Sequence, residues 1–479
     1  MSRSLAPSAA LSMPDRSVAP ESGGASAFRL AELLGSLSHA LDLTEGQPVG
    51  HCQRACWIGT GIAMEMGIED EALSDVYFTV LLKDLGCSSN AARICELYLA
   101  DDISFKRDFK TIDGSLAAAL RFVFDKTGLE SGFAERVRAI LNILRNGGRI
   151  AHEMIETRCH RGADIAAKMR FSEPVQEGIR WLDEHWDGSG KPEGRKASAI
   201  PLASRIALVA QVADVFHSEG GRHAARAEVI ARRGTWFDPQ VVDAFLAVER
   251  QPGFWDTIEA DDLDSRLFAL PPARASTVVT DDYVDDIAAA FADVIDAKSP
   301  FTAGHSRRVT LFTDMIAEEM GLDAPHRRWL RRAALLHDIG KLAVSNQILD
   351  KPGKPAEAEW VSIRRHPAQG AAILRKVAIF RDLADIAGAH HERLDGKGYP
   401  LGLEGDELAP EVRMLTVADV FDALTADRPY RKAMTVEEAF AILDKDTGTA
   451  FDGDCVAALK RAVSRLAPSG AGASAARSV

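Results

Sequence analysis

Five histidines fall in one stretch of the chain: His305, His337, His366, His390 and His391. Asp338 stands beside His337, and Asp419 follows downstream. Neutral imidazole and carboxylate are donors that suit first-row divalent ions such as Fe, Mn, Zn or Ni, and these seven groups are enough to hold two of them. A lone histidine on a helix is usually satisfied by ordinary hydrogen bonds. The pairs His337-Asp338 and His390-His391 fit that explanation poorly, because buried ionisable groups without partners are costly.

Such side chains need rigid elements to converge. From Phe28 onward nearly every segment shows helical periodicity, and alternating Val/Ile/Thr runs are scarce. Between Arg328 and Leu342, for example, Trp329, Ala333, Leu336 and Gly340 recur at three- and four-residue steps with arginines between them. The pattern predicts an all-α fold.

The chain also repeats itself. Asp42 and His51 lie over Asp296 and His305, and LLKDLG (81–86) over LLHDIG (335–340), at an offset of 254. Further on, DGSGKPEG (187–194) lies over DGKGYPLG (395–402) and RIALVAQV (205–212) over RMLTVADV (413–420), at an offset of 208. GTWFD (234–238) lies over GTAFD (448–452). The drop in offset gives the first copy about 46 extra residues, expected within 91–150. The expected organisation is a disordered start at 1–27, a first helical module at 28–251, a linker at 252–280, a second module at 281–467 and a disordered tail at 468–479.

H-D-I-G-K at 337–341 followed by H-H-E-R-L-D-G-K-G-Y-P at 390–400 resembles the HD-GYP family, the branch of the HD phosphohydrolases that hydrolyses cyclic di-GMP. The resemblance covers about 281–465. It includes GHS at 304–306, RRHP at 364–367 and VADVFDALTADRPYR at 417–431. It implies two tandem HD-type helical bundles, the second catalytic. It also implies a two-metal centre of His305, His337, Asp338, His366, His390, His391 and Asp419, with iron or manganese favoured over zinc or nickel and Asp338 bridging. Family members with a third metal carry Glu where this chain has Phe301, so two ions are expected. Two cations about 3.5 to 4 Å apart acidify a bridging water and neutralise phosphoryl oxygens, which phosphodiester hydrolysis requires at neutral pH. The expected reaction opens cyclic di-GMP to pGpG and on to GMP. Another cyclic dinucleotide, and a binding scaffold with little turnover, are the alternatives.

Lys341, about one helical turn after His337, can reach a phosphate oxygen as a point charge. Arg428 and Arg431 are candidates for the second phosphate or a guanine edge. Gly396, Gly398, Tyr399 and Pro400 form a loop that, the resemblance implies, borders the substrate and contacts diguanylate cyclase (GGDEF) domains.

The first copy departs from this set. Lys83 stands where His337 stands, Leu182 and Asp183 replace His390 and His391, and Gln211 replaces Asp419. His51, Asp84 and His160 are read as the survivors. A lysine at a ligand position repels a metal, so this copy is expected to serve packing, dimerisation or sensing. Cys52, Cys56 and Cys159 read as small core residues.

Composition narrows the partners. The 479 residues carry 57 basic and 70 acidic side chains, a net charge of −13, which argues against a polynucleotide ligand. Six cysteines without a CxxC pair suit a reducing compartment. The best apolar stretch, from Ala199 to Phe216, is broken by Pro201, Arg205, Gln211 and Asp214, so no membrane span and a cytoplasmic location are expected.

Overall fold

A computed structural model describes residues 28–112, 116–129, 131–429 and 431–466. Both expected disordered ends lie outside the described residues. Within them every regular element is a helix and only isolated β-bridges occur, so the fold is all-α. No described helix is long and apolar enough to cross a membrane.

The sequence repeat is a repeat of helices. His51–Glu65 corresponds to His305–Glu319, Asp70–Leu81 to Ala324–Leu336, and Pro239–Val248 to Gly453–Leu466. Entry into the first pair is set by glycine. Gly50 (φ 89°) and Gly304 (φ 68°) sit in the left-handed region, which a side chain disfavours, and each turns the chain so that the next residue, His51 or His305, opens the helix. Asp323 caps the Ala324–Leu336 helix by accepting from the His326 N–H at 2.9 Å, with Pro325 in its first turn.

The two copies interlock. The first helix of each packs on the ligand-bearing turn of the other: Leu30–Thr44 lies on the 3-10 turn Ile339–Ala343 and the His366–Lys376 helix, while Asp281–Asp296 lies on Cys87–Asn90 and the Phe133–Lys168 helix. A single apolar cluster runs through both, from Leu34 and Leu37 to Ile339 and Leu342. Lys168 pairs with Asp293 at 2.6 Å, and the Tyr283 hydroxyl donates to the Met169 carbonyl at 2.8 Å.

Residues 252–280, expected as a linker, form three short helices, Phe254–Ile258, Leu263–Phe268 and Pro271–Ala275. Proline and acidic residues cut the helices short, but Phe254, Trp255, Ile258 and Leu267 are buried, which makes the segment part of the packed body. The stretch 91–150, within which the extra residues of the first copy fall, holds the helices Ala91–Tyr98, Asp102–Phe109 and Leu116–Lys126 and the start of Phe133–Lys168.

Candidate metal centre

The histidines and Asp338 of the second copy converge from four helix ends, and Asp419 joins them from within the Pro410–Thr425 helix. His337 and Asp338 follow the Ala324–Leu336 helix, His366 opens its helix, His390 and His391 follow Ala384–Ala389, and His305 opens its own. Gly340 is what allows the approach. A Cβ there would lie 1.9 Å from the His366 carbonyl oxygen, so only glycine lets the His366 backbone close on the HDIG turn.

Orientation is fixed from behind. His337, His366 and His390 each present Nδ1 to the carbonyl three residues earlier, Ala334 at 2.7 Å, Ile363 at 2.6 Å and Ala387 at 2.6 Å. With Nδ1 donating, each Nε2 is a bare lone pair aimed inward. The Nε2 atoms of His366 and His390 face each other at 3.3 Å, a contact between two acceptors that a bound cation would relieve. The buried His305 Nε2, His337 Nε2 and Asp338 Oδ1 also lack hydrogen-bond partners. On this donor chemistry the residues fit metal ions.

Asp338 divides the site. Its Oδ2 lies 3.3 Å from His305 Nε2 and 3.4 Å from His337 Nε2, and its Oδ1 lies 3.3 Å from His366 Nε2 and 3.7 Å from His390 Nε2. Asp419 Oδ1 is 3.3 Å from His305 Nε2, and its Oδ2 is 3.9 Å from His391 Nδ1. The charge states of His366, His390, His391 and Asp338 suit ligation. Burial lowers His366 to about 4 and lowers His390 and His391 as well, keeping them neutral. Burial opposes ionisation of Asp338, yet His337 and Lys341 hold it well below the usual carboxylate range. At His305 burial opposes a proton, but Asp338, Asp419 and Asp422 outweigh it and favour positive charge there.

The HD domain family matches residues 130–241 and 289–455. The chain belongs to the HD domain family. Its D-G-K-G-Y-P loop makes it an HD-GYP member. It is 52% identical over 439 residues, 92% of this chain and 95% of the relative, to 3'3'-cGAMP-specific phosphodiesterase 3 of Vibrio cholerae serotype O1. It is 40% identical over 177 residues, 36% of this chain and 47% of the relative, to the cyclic di-GMP phosphodiesterase response regulator RpfG of Xanthomonas campestris. A crystal structure of a cyclic GMP-AMP-specific phosphodiesterase of V. cholerae covers 91% of this chain and 98% of that chain at 47% identity, with a TM-score of 0.63.

The HD-GYP loop borders the centre. The Tyr399 ring lies 4.8 Å from that of His391, and the Tyr399 N–H donates to the His391 carbonyl at 3.2 Å. Gly398 admits no Cβ, which would fall 2.4 Å from Glu392 Cα. Glu392, buried, clamps the loop by accepting from Leu401, Gly402 and Leu403 N–H groups at 2.6, 3.2 and 3.1 Å. Lys341 Nζ reaches Asp338 Oδ2 at 2.5 Å. Arg428 is half-buried, just beyond the end of the Pro410–Thr425 helix. The Arg431 guanidinium donates to the Leu424, Lys432 and Ala423 carbonyls at 2.8, 2.8 and 2.6 Å, capping the Pro410–Thr425 helix.

Asp422 and Glu392 were not singled out from the sequence. Asp422 Oδ2 accepts from His305 Nδ1 at 2.7 Å, and Arg308 Nε donates to its Oδ1 at 2.6 Å. Retention in both copies is the signal that identifies them. Asp214 holds His51 Nδ1 at 2.6 Å, and Glu184 accepts from the Glu193, Gly194 and Arg195 N–H groups.

In the first copy the residue at the His366 position is Arg158, not His160. A Cβ on Gly86 would meet the Arg158 oxygen at 1.9 Å, the same contact Gly340 makes with His366, whereas His160 faces solvent two residues further round the helix. Arg158 pairs with Asp183, and Lys83 Nζ pairs with Asp84 and lies 2.9 Å from His51 Nε2. Glu45, Asp84 and Cys87 also cluster, but Lys110 Nζ sits 2.7 Å from Glu45 Oε2 and 4.0 Å from Asp84 Oδ1. These donors already face cations.

Proposed function

We propose that the second copy is a metal-dependent cyclic-dinucleotide phosphodiesterase acting on 3'3'-cGAMP, with two divalent ions, iron or manganese first among them. The observation that carries this reading is Asp338, whose two oxygens face two separate sets of histidine lone pairs. One set is His305 and His337; the other is His366 and His390, with His391 adjoining it and Asp419 set between His305 and His391. Ions held there supply a water nucleophile at neutral pH and neutralise charge on the phosphoryl oxygens.

The chain's own groups do the rest. Lys341 is poised to hold a non-bridging phosphate oxygen, Arg428 to meet the second phosphate, and the Tyr399 ring to cover one face of the cleft beside His391. Sequence reading favoured cyclic di-GMP and kept another cyclic dinucleotide open. The 52% identity across nearly the whole chain to a cGAMP-specific enzyme, against 40% over about a third of it to a cyclic di-GMP enzyme, supports the second choice.

Anaerobically purified, metal-replete protein assayed on both nucleotides tests the proposal. Linear dinucleotide should form faster from 3'3'-cGAMP, and Asp338→Asn should abolish turnover of both while the helical signal persists. Faster turnover of cyclic di-GMP removes the substrate assignment, and an active Asp338→Asn removes the site.

A further inference from the structure

The extra segment of the first copy reaches into the second. Asp102, fully buried at the start of the Asp102–Phe109 helix, accepts at Oδ1 from the Asn346 N–H at 2.8 Å and the Ser345 hydroxyl at 3.3 Å. Its Oδ2 lies 3.3 Å from Lys298 Nζ and 3.7 Å from Lys106 Nζ. Lys298 and Asn346 are themselves 2% and 1% exposed, and the Asn346 side-chain amide donates to the Lys298 carbonyl at 2.7 Å.

What these partners join gives the contact its meaning. Lys298 starts the loop that runs to His305. Ser345 and Asn346 end the stretch that begins with His337 and Asp338 and carries Lys341. A carboxylate from the other copy therefore joins the segment that leads to His305 and the segment that follows His337, Asp338 and Lys341. Within the second copy the same segments are tied by the Asn346 amide to the Lys298 carbonyl, and Asp102 adds a tie from a helix in the stretch where the first copy exceeds the second.

We infer that Asp102 is a positioning residue for the reaction of the second copy, setting the spacing between the His305 loop and the Lys341 turn, and that the enlarged first copy acts on turnover through it. This rests on the proposed phosphodiesterase reading of the second copy. A buried carboxylate with a complete set of partners holds geometry closely, and small misplacements of reacting groups are expensive in rate.

Two variants of the full chain test it. Asp102→Asn removes the charge facing Lys298, and Asp102→Leu with Lys298→Met removes both buried charges together, so that no ammonium is left unpaired while the Asp102 tie is lost. Both should lower kcat about tenfold or more with little change in metal content, and both should speed amide hydrogen exchange in 298–305 and 339–349. A merely structural role predicts that the double variant regains wild-type kcat. That result, or unchanged exchange in both segments, overturns the inference. Hydrogen exchange needs no substrate, so a wild-type chain inactive on cyclic dinucleotides would count against the phosphodiesterase reading while the exchange result still decides whether Asp102 holds the two segments.

Discussion

Replacing Asp422 by Asn should weaken metal binding, while the matching change in the first copy should not. Asp422 is 1% exposed, accepts from His305 Nδ1 at 2.7 Å and takes Arg308 Nε at 2.6 Å. Although burial opposes its ionisation, His305 and Arg308 hold it below the usual carboxylate range, so the hydrogen bond to His305 is charge-assisted. An amide there can still orient the ring but withdraws the charge that makes Nε2 a strong donor. Loss of such a support costs about 10- to 100-fold in metal affinity, or about 1.4 to 2.7 kcal/mol. Asp214 makes the same contacts, to His51 Nδ1 at 2.6 Å and Arg54 Nε at 2.7 Å, but His51 Nε2 faces the Lys83 ammonium. Asp214→Asn should therefore cost about 1 to 3 kcal/mol of folding stability and leave metal affinity unchanged. Chelator-competition titration reads the first quantity and urea unfolding the second. Equal loss of metal affinity in both variants, or in neither, would refute the reasoning.

Gly340→Ala should destabilise the fold by about 1 to 3 kcal/mol and strip metal from the purified protein, since the new Cβ forces the His366 backbone away. Elemental analysis beside thermal unfolding checks both effects. Glu392→Gln should raise KM several-fold with metal content intact, because the clamp on Leu401, Gly402 and Leu403 weakens while the ligands stay put; steady-state kinetics that show a kcat loss alone would contradict it. Lys83→Met should cost about 3 to 5 kcal/mol in urea unfolding, as Asp84 is left buried without its ammonium. Burial lowers His185 to about 4, against 6.5 unperturbed, where it stacks on Trp236 at 4.1 Å. Its neutral form is the one the fold favours, so its contribution is full above pH 6.5 and is lost as pH falls toward 4, to at most about 3 kcal/mol. His185→Phe should show a shallower fall in stability over that window than wild type.

The helical class, the duplication and the histidine set were legible because each leaves a local trace: 3.6-residue periodicity, a fixed offset, and ligand types at helix ends. What escaped the sequence is contact between distant segments. His160 looked like a surviving ligand because residue type was matched without the backbone approach of Gly86 to Arg158 that fixes the register. The cap made by Arg431 was not legible because nothing in D-R-P-Y-R shows that carbonyls at the end of the preceding helix accept from it. Asp422 and Glu392 were readable in principle, as Asp214 and Glu184 preserve them in the first copy, but their roles lie in atoms that meet only after folding. The interlock of the copies, and Asp102 within it, had no periodicity to announce it.

Apart from His51, the first-copy positions that match the second copy's histidine cluster hold other groups in the same fold. In the second copy the His366 and His390 lone pairs face each other at 3.3 Å. Deleting ligands one at a time would leave such contacts unrelieved in a buried pocket. The first copy instead carries side-chain cations: Lys83 between His51 and Asp84, and Arg158 against Asp183. Burial disfavours charge on Lys83, yet Asp84 outweighs it and pushes the ammonium upward, while burial and Lys83 keep His51 neutral as an acceptor. The His51–Asp214 support behind it is kept intact because an acceptor facing an ammonium needs the same orientation as one facing a metal. Restoring a histidine at position 83 alone would remove the compensating charge while Arg158 and Asp183 still occupied their places, so return of a metal centre requires those sites to change together.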